Sequence, residues 1–226
     1  MAVSSAIYSP YPNDYLPESG EQPKDNTDDH RQQMISICHA LEVYFRETSR
    51  VYISGGIPLY YFDRENYLQH ISPDIFVVRG VERRNRRFYD LREESKAPDI
   101  VIELTSINTK FEDLYTKRDI YAWLGICEYF IFVPAEIVPP ILQGFHLEGG
   151  DYIPMPGSHF QSEVLGLDLV VEAGQLRFYD PKTGERLLTP EEAEAERRAE
   201  KAARQAAEAE NARLREELAK LQVKKS

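Results

Sequence analysis

Ala97-Pro98-Asp99-Ile100-Val101-Ile102-Glu103-Leu104-Thr105 is a short apolar run, rich in β-branched residues, opened by a Pro-Asp turn and interrupted by one glutamate. Turn chemistry followed by such a run predicts a buried strand. Side chains alternate along a strand, so Asp99, Val101, Glu103 and Thr105 share one face and Ile100, Ile102 and Leu104 the other. Glu103 therefore sits mid-strand among apolar neighbours, where a carboxylate is costly unless something binds it. The preceding segment, Ser72-Pro73-Asp74-Ile75-Phe76-Val77-Val78, has the same design. Asp99 and Glu103 are about 13 Å apart along their strand, too far to share one cation, whereas neighbouring strands lie about 4.8 Å apart. Asp74, at the head of the previous strand, is the geometrically sensible partner for Glu103. Two carboxylates from adjacent strands make an oxygen site suited to Mg²⁺ or Mn²⁺. Without their cation they repel, so neutralising either one is expected to leave the metal-free protein as stable or more stable.

Lys117, on the helix that follows, completes the set. Simpler roles are open to each of these residues. Asp74 and Asp99 can act as turn formers after proline, the better account of Asp99. Lys117 stands four residues after Asp113, the favoured order for a helical ion pair. Glu103 is the hardest to explain by packing alone.

The order of these features extends further. After the two Pro-Asp strands come Ser106 to Thr109, then Asp113, Lys117, Tyr121 and Gly125-Ile126-Cys127-Glu128-Tyr129, with Leu165-Gly166-Leu167 and Tyr179-Asp180-Pro181 closing the chain's body. From about Tyr11 to Pro190 this order resembles the Uma-type restriction endonucleases, a branch of the PD-(D/E)XK nuclease superfamily. The superfamily lysine normally lies two residues after the acidic strand residue, a position held here by Thr105. The branch carries its lysine on the following helix, which implies that Lys117 has the role, with Lys110 a weaker substitute. The resemblance implies metal-assisted phosphodiester hydrolysis. Asp74 and Glu103, helped by the main-chain carbonyl of Leu104, would hold Mg²⁺ or Mn²⁺, and Lys117 would assist the attacking water. Tyr121, one turn beyond Lys117, would pack behind it. Many relatives add a helix-borne acid or histidine, which makes Glu42 and His39 candidates, although a solvated glutamate and a core histidine are the simpler readings. Asp99 and Asp113 complete the auxiliary candidates.

At 226 residues and 42% hydrophobic composition, the chain can bury one substantial core. Cys38 and Cys127 lack the spacing of a zinc site or a disulfide framework, and no uninterrupted apolar stretch is long enough for a membrane span. A cytoplasmic protein without a membrane partner is expected. The net charge of -11 opposes indiscriminate binding to nucleic acid. From Glu191 to Ser226 there are nine acidic and nine basic residues, so the deficit lies in the body, at 29 acidic against 18 basic. Its relief is Arg79, Arg83, Arg84, Arg86 and Arg87, between the two acidic strands. They would hold a phosphate backbone if that loop lies near the site, or balance an acidic surface if it does not.

Residues 1–188 are expected to form one domain, with 1–26 an irregular arm. Met34, Ile37, Cys38, Leu41, Tyr44 and Phe45 mark the buried stripe of a helix from about Asp28 to Glu47. Strand pieces follow around Gly55-Gly56 between Val51 and Phe62, then the strands opened at Asp74 and Asp99. A helix from about Phe111 to Leu124 leads to a strand at Tyr129–Val133, a βαβ crossover. Ile141–Glu148, Glu163–Val171 and Leu176–Tyr179 read as further strands. The expected fold is α/β, of mixed α+β type, with a restriction-endonuclease-like mixed sheet flanked by helices.

Residues 189–226 form a separate charged helix. Thr189 as N-cap, Pro190 at the first helical position and Glu192 three residues on make a capping box. An a/d register through Asn211, Leu214, Leu218 and Leu221 would favour a parallel pair and hence a homodimer, against a solvated helix that pairs weakly or not at all. Nucleic acid is the expected partner, DNA more than RNA. The competing function is a non-cleaving binding or interaction protein on a nuclease scaffold, oligomerising through this helix.

Overall fold

A computed structural model describes residues 28–94, 96–104, 116–133 and 141–223, without the side chains of residues 141, 217–219 and 221–223. The arm 1–26, Thr105, Lys110 and Asp113 lie outside the described residues. In chain order the elements are α1 (Asp28–Tyr44), β1 (Val51–Ser54), β2 (Leu59–Phe62), β3 (Leu68–Ile71), β4 (Ile75–Arg79), β5 (Tyr89–Asp90) and β6 (Ile100–Leu104). There follow α2 (Arg118–Trp123), β7 (Glu128–Val133), β8 (Ile141–Glu148), β9 (Asp151–Pro154), β10 (Phe160–Ser162), β11 (Leu167–Glu172), β12 (Gln175–Tyr179) and α3 (Pro190–Val223).

A six-stranded sheet in the order β1-β4-β6-β7-β8-β9 is the frame. β6 and β7 pair in parallel and every other neighbouring pair is antiparallel, so the sheet is mixed and α2 lies on the crossover. Period-two alternation sends Ile75, Val77, Ile100, Ile102, Phe130 and Phe132 to one face, against Ile37 and Leu41 of α1, Phe45 just beyond it and the small sheet β10-β11-β12. Phe76, Val78, Val101, Tyr129 and Ile131 go to the other, against Tyr121 of α2 and a second small sheet, β3-β2-β5. Both faces are covered, which is why β4, β6 and β7 read as continuous apolar runs.

β3, β5 and β9 are not expected from the sequence, and three further features depart from the expectation, each for a local reason. α1 ends at Tyr44, short of Glu47, where the Arg83 guanidinium donates to the carbonyls of Phe45 and Thr48 and satisfies the helix end. The expected strand Glu163–Val171 is broken between β10 and β11, because Gly166 takes a φ of 68° and turns the chain. The pieces flanking Gly55-Gly56 enter different sheets, β1 the central one and β2 a hairpin with β3.

The capping box forms as expected. The Glu192 N–H donates to Thr189 Oγ1 at 3.2 Å, and the Thr189 N–H donates to Glu192 Oε2 at 2.9 Å. Glu192 also pairs with buried Arg177 and with Arg186, while Glu191 accepts from Gln32 of α1 at 2.8 Å. Beyond this root the described side chains of α3 are mostly exposed along a helix roughly 51 Å long. Cutting the chain after Ala199 should therefore leave the melting temperature unchanged. Cutting after Leu188 should leave a folded but less stable body, since Arg177 loses Glu192. If α3 pairs with a second copy, light scattering should show the mass halved in both. An unchanged mass would remove the helix-mediated dimer. Among the described residues no helix is long and apolar enough to cross a membrane.

Candidate active site

β4 and β6 run antiparallel with Ile75 opposite Ile102, so one residue further on Asp74 faces Glu103. The pair lies at one end of the central sheet. Glu103 is completely buried and Asp74 and Lys117 are each 5% exposed, three ionisable groups in a space that would otherwise be apolar. Lys117 Nζ donates to Glu103 Oε2 at 2.8 Å, and the Tyr121 hydroxyl donates to Oε1 at 2.7 Å. Lys117 is the helical-φ N-cap of α2, so its four-residue spacing from Tyr121 places both donors on one side, facing the sheet. Burial and then the charge of Glu103 push the Tyr121 hydroxyl well above its ordinary pKa, so it stays protonated and remains a donor.

Asp74 Oδ2 accepts the Leu104 N–H at 2.9 Å, which ties the head of β4 to the end of β6. From the opposite side of the sheet, α1 brings His30, whose Nε2 lies 3.2 Å from Asp74 Oδ2 and 2.9 Å from the Leu104 carbonyl oxygen. A carbonyl oxygen can only accept, so Nε2 carries the hydrogen in this arrangement. Asp74 Oδ2 and Leu104 O therefore point at one spot. His30 is the functional candidate that sequence reasoning missed. Its signal was the α1 stripe itself, since His30 precedes Met34, Ile37 and Leu41 at the same three- and four-residue spacing. Among the described residues no group of three or more His, Cys, Asp or Glu side chains is already gathered as a metal cage.

Asp74 also depends on a glycine. A Cβ on Gly55 would lie 2.0 Å from the Asp74 carbonyl oxygen, and the Gly56 N–H donates to the Pro73 carbonyl at 3.0 Å. The loop after β1 thus lies flat against the backbone that presents Asp74. Gly55→Ala should displace that backbone, lowering stability by about 1–3 kcal/mol and abolishing any metal-induced rise in melting temperature. Retention of the full metal response would show that the position of Asp74 does not depend on this contact.

Asp99 lies at the other end of β6. Its carboxylate accepts the Arg79 N–H at 2.7 Å and pairs with Lys96 at 2.6 Å, fastening the far ends of β4 and β6. The arginine segment leaves β4 at that end, so it begins about 17 Å along the strand from Asp74. Two of its members serve the fold. Arg83 closes α1 and donates to Val51 O at 2.7 Å, while Arg86 is buried on Glu94, 4.2 Å above the Tyr52 ring, and holds the Glu94 carboxyl below its ordinary pKa. Arg79 donates to the Val164 carbonyl; Arg84 pairs with Glu94 but is half exposed, and Arg87 is exposed. Glu42 is exposed and, with His39, lines a cleft beside β1 that contains none of Asp74, Glu103 or Lys117.

A family model described as "Putative restriction endonuclease", Uma2, matches residues 19–176, well over half of the chain. No curated protein matches it.

Proposed function

The chain belongs to the Uma2 family, and from that premise we propose that it is a metal-dependent endonuclease hydrolysing phosphodiester bonds, in DNA before RNA. Its mixed sheet flanked by helices is restriction-endonuclease-like. The observation that carries the reading is Glu103, wholly buried, facing Asp74 across the strand pair and hydrogen-bonded to Lys117 and Tyr121. Packing does not select such an arrangement, and structural stability alone is a poor reason for it, since a buried ion pair gains little over an apolar substitute.

The donor set fits a hard divalent cation. Asp74, Glu103 and the Leu104 carbonyl supply oxygens, and His30 Nε2 would supply a nitrogen that Mn²⁺ accepts as well once its hydrogen has moved to Nδ1. Such a cation, when bound, supplies charge neutralisation at the scissile phosphate and a more acidic water. The protein's own groups do the rest. Tyr121 and Lys117 hold the Glu103 carboxylate in one orientation. Lys117 brings a fixed positive charge to the place where negative charge grows on the phosphate oxygens. His30 is placed to hold a proton between Asp74 and the Leu104 carbonyl until a ligand takes those two oxygens. Of the arginine segment only Arg84 and Arg87 remain for a nucleic-acid backbone, because Arg83 and Arg86 are committed to the fold, and since the segment begins about 17 Å along the strand from Asp74 such contacts would fall away from the scissile phosphate.

The test is incubation of the purified protein with plasmid, single-stranded DNA and RNA, with Mg²⁺, Mn²⁺ or chelator. Cleavage that requires metal and disappears with chelator supports the proposal. The absence of cleavage on all three substrates removes it. A second reading, a non-cleaving binding protein on a nuclease scaffold, is favoured by the acidic body and by Glu103 being already satisfied by Lys117 and Tyr121. Metal titration separates the two, since a cation bound only by the native state must raise the melting temperature.

A further inference from the structure

One row of residues crosses the central sheet at the level of Glu103. β6 and β7 pair Glu103 with Ile131, and β7 and β8 pair Ile131 with Gln143. Neighbours in register share a face, so Gln143 projects on the side that also carries Glu103, Tyr121 and Phe145. Two strand spacings put its Cα about 10 Å from that of Glu103. Gln143 is partly exposed, and its amide oxygen is buried with no hydrogen-bond partner. A buried acceptor without a donor is costly, and a methionine would fill the same space without that cost.

We propose that Gln143 is a specificity-determining residue that hydrogen-bonds the base of the nucleotide next to the scissile phosphate. This rests on the nuclease reading above. A diester phosphate offers only acceptors, whereas the unsatisfied oxygen needs a donor, which a base amino or imino group provides. The amide's own N–H₂ can serve an acceptor on the same base edge. At about 10 Å from Glu103, the side chain stands further across the sheet than the cation Glu103 would hold, where the nucleotide adjoining the scissile phosphate would lie. Being uncharged, it can sit near the two carboxylates without the repulsion a third acid would meet.

The experiment compares the parent with Gln143→Met, which keeps the length and removes the amide. Oligonucleotides carrying each of the four bases on either side of the cleaved bond are the substrates. The parent should prefer one base at one flanking position. The variant should lose that preference, with KM for the preferred substrate raised about tenfold, kcat at saturation kept and the metal-induced rise in melting temperature intact. Its melting temperature without metal should be unchanged or higher, because an unsatisfied acceptor has been removed. A fall in that temperature would make Gln143 a structural residue and overturn the proposal. So would a variant with the parent's KM and base preference, which leaves the nuclease reading standing. A parent that cleaves none of these oligonucleotides with Mg²⁺ or Mn²⁺ removes the nuclease reading and the subsite together.

Discussion

Asp74→Asn and Glu103→Gln should each abolish metal-dependent cleavage and the metal-induced rise in melting temperature, whereas Asp99→Asn should keep both. Each change preserves side-chain size and removes the charge a divalent cation needs. The contrast follows from position. Asp74 faces Glu103 across the β4–β6 pair, while Asp99 is occupied by the Arg79 amide and Lys96 at the far end of the same strand. His30→Asn should weaken the metal response without abolishing it, because the two carboxylates remain. The measurements are plasmid cleavage and thermal melting with and without Mn²⁺. If Asp99→Asn eliminated the metal response while Asp74→Asn preserved it, the site would belong to the other end of the strand.

The second large effect is on the fold itself. Repulsion between two bare carboxylates suggests that neutralising Glu103 stabilises the metal-free protein, but Lys117 Nζ at 2.8 Å from Glu103 changes the sign. Both groups are buried, so removing one leaves the other without its counter-charge, which costs about 3–5 kcal/mol. Glu103→Gln and Lys117→Met should each lower metal-free stability by that order. The double variant should lose less than the sum, by about 0.5–3 kcal/mol of coupling, since no buried charge is stranded. Denaturant melts of the four proteins close the cycle, and strict additivity would deny that the pair is coupled. In activity the two singles should differ. Lys117→Met should retain some metal-induced stabilisation yet lose turnover, because its charge acts on the phosphate rather than holding the cation.

The strand bearing Glu103, the opposition of Asp74 and Glu103, the βαβ crossover and the start of α3 were determined by the sequence alone. Each follows from short-range regularities: alternation with period two, turn residues at strand heads, a capping box and the fixed spacing of neighbouring strands. Lys117 and Tyr121 were legible only through the family resemblance, which implies a lysine on the helix after the acidic strand, since by spacing alone Lys117 could equally pair with Asp113. The division of the twelve described strands among three sheets was not, because β1 joins the central sheet while β2, beyond Gly55-Gly56, packs over one of its faces. Only the tertiary structure decided that His30 belongs with Asp74 and Leu104, 44 and 74 residues away in the chain. It likewise decided that Arg83 and Arg86 serve the fold, and that Glu103 faces a lysine as well as a carboxylate. Which side chains meet across the end of a sheet depends on how whole faces dock, and docking is set by the summed burial of many residues rather than by any local pattern.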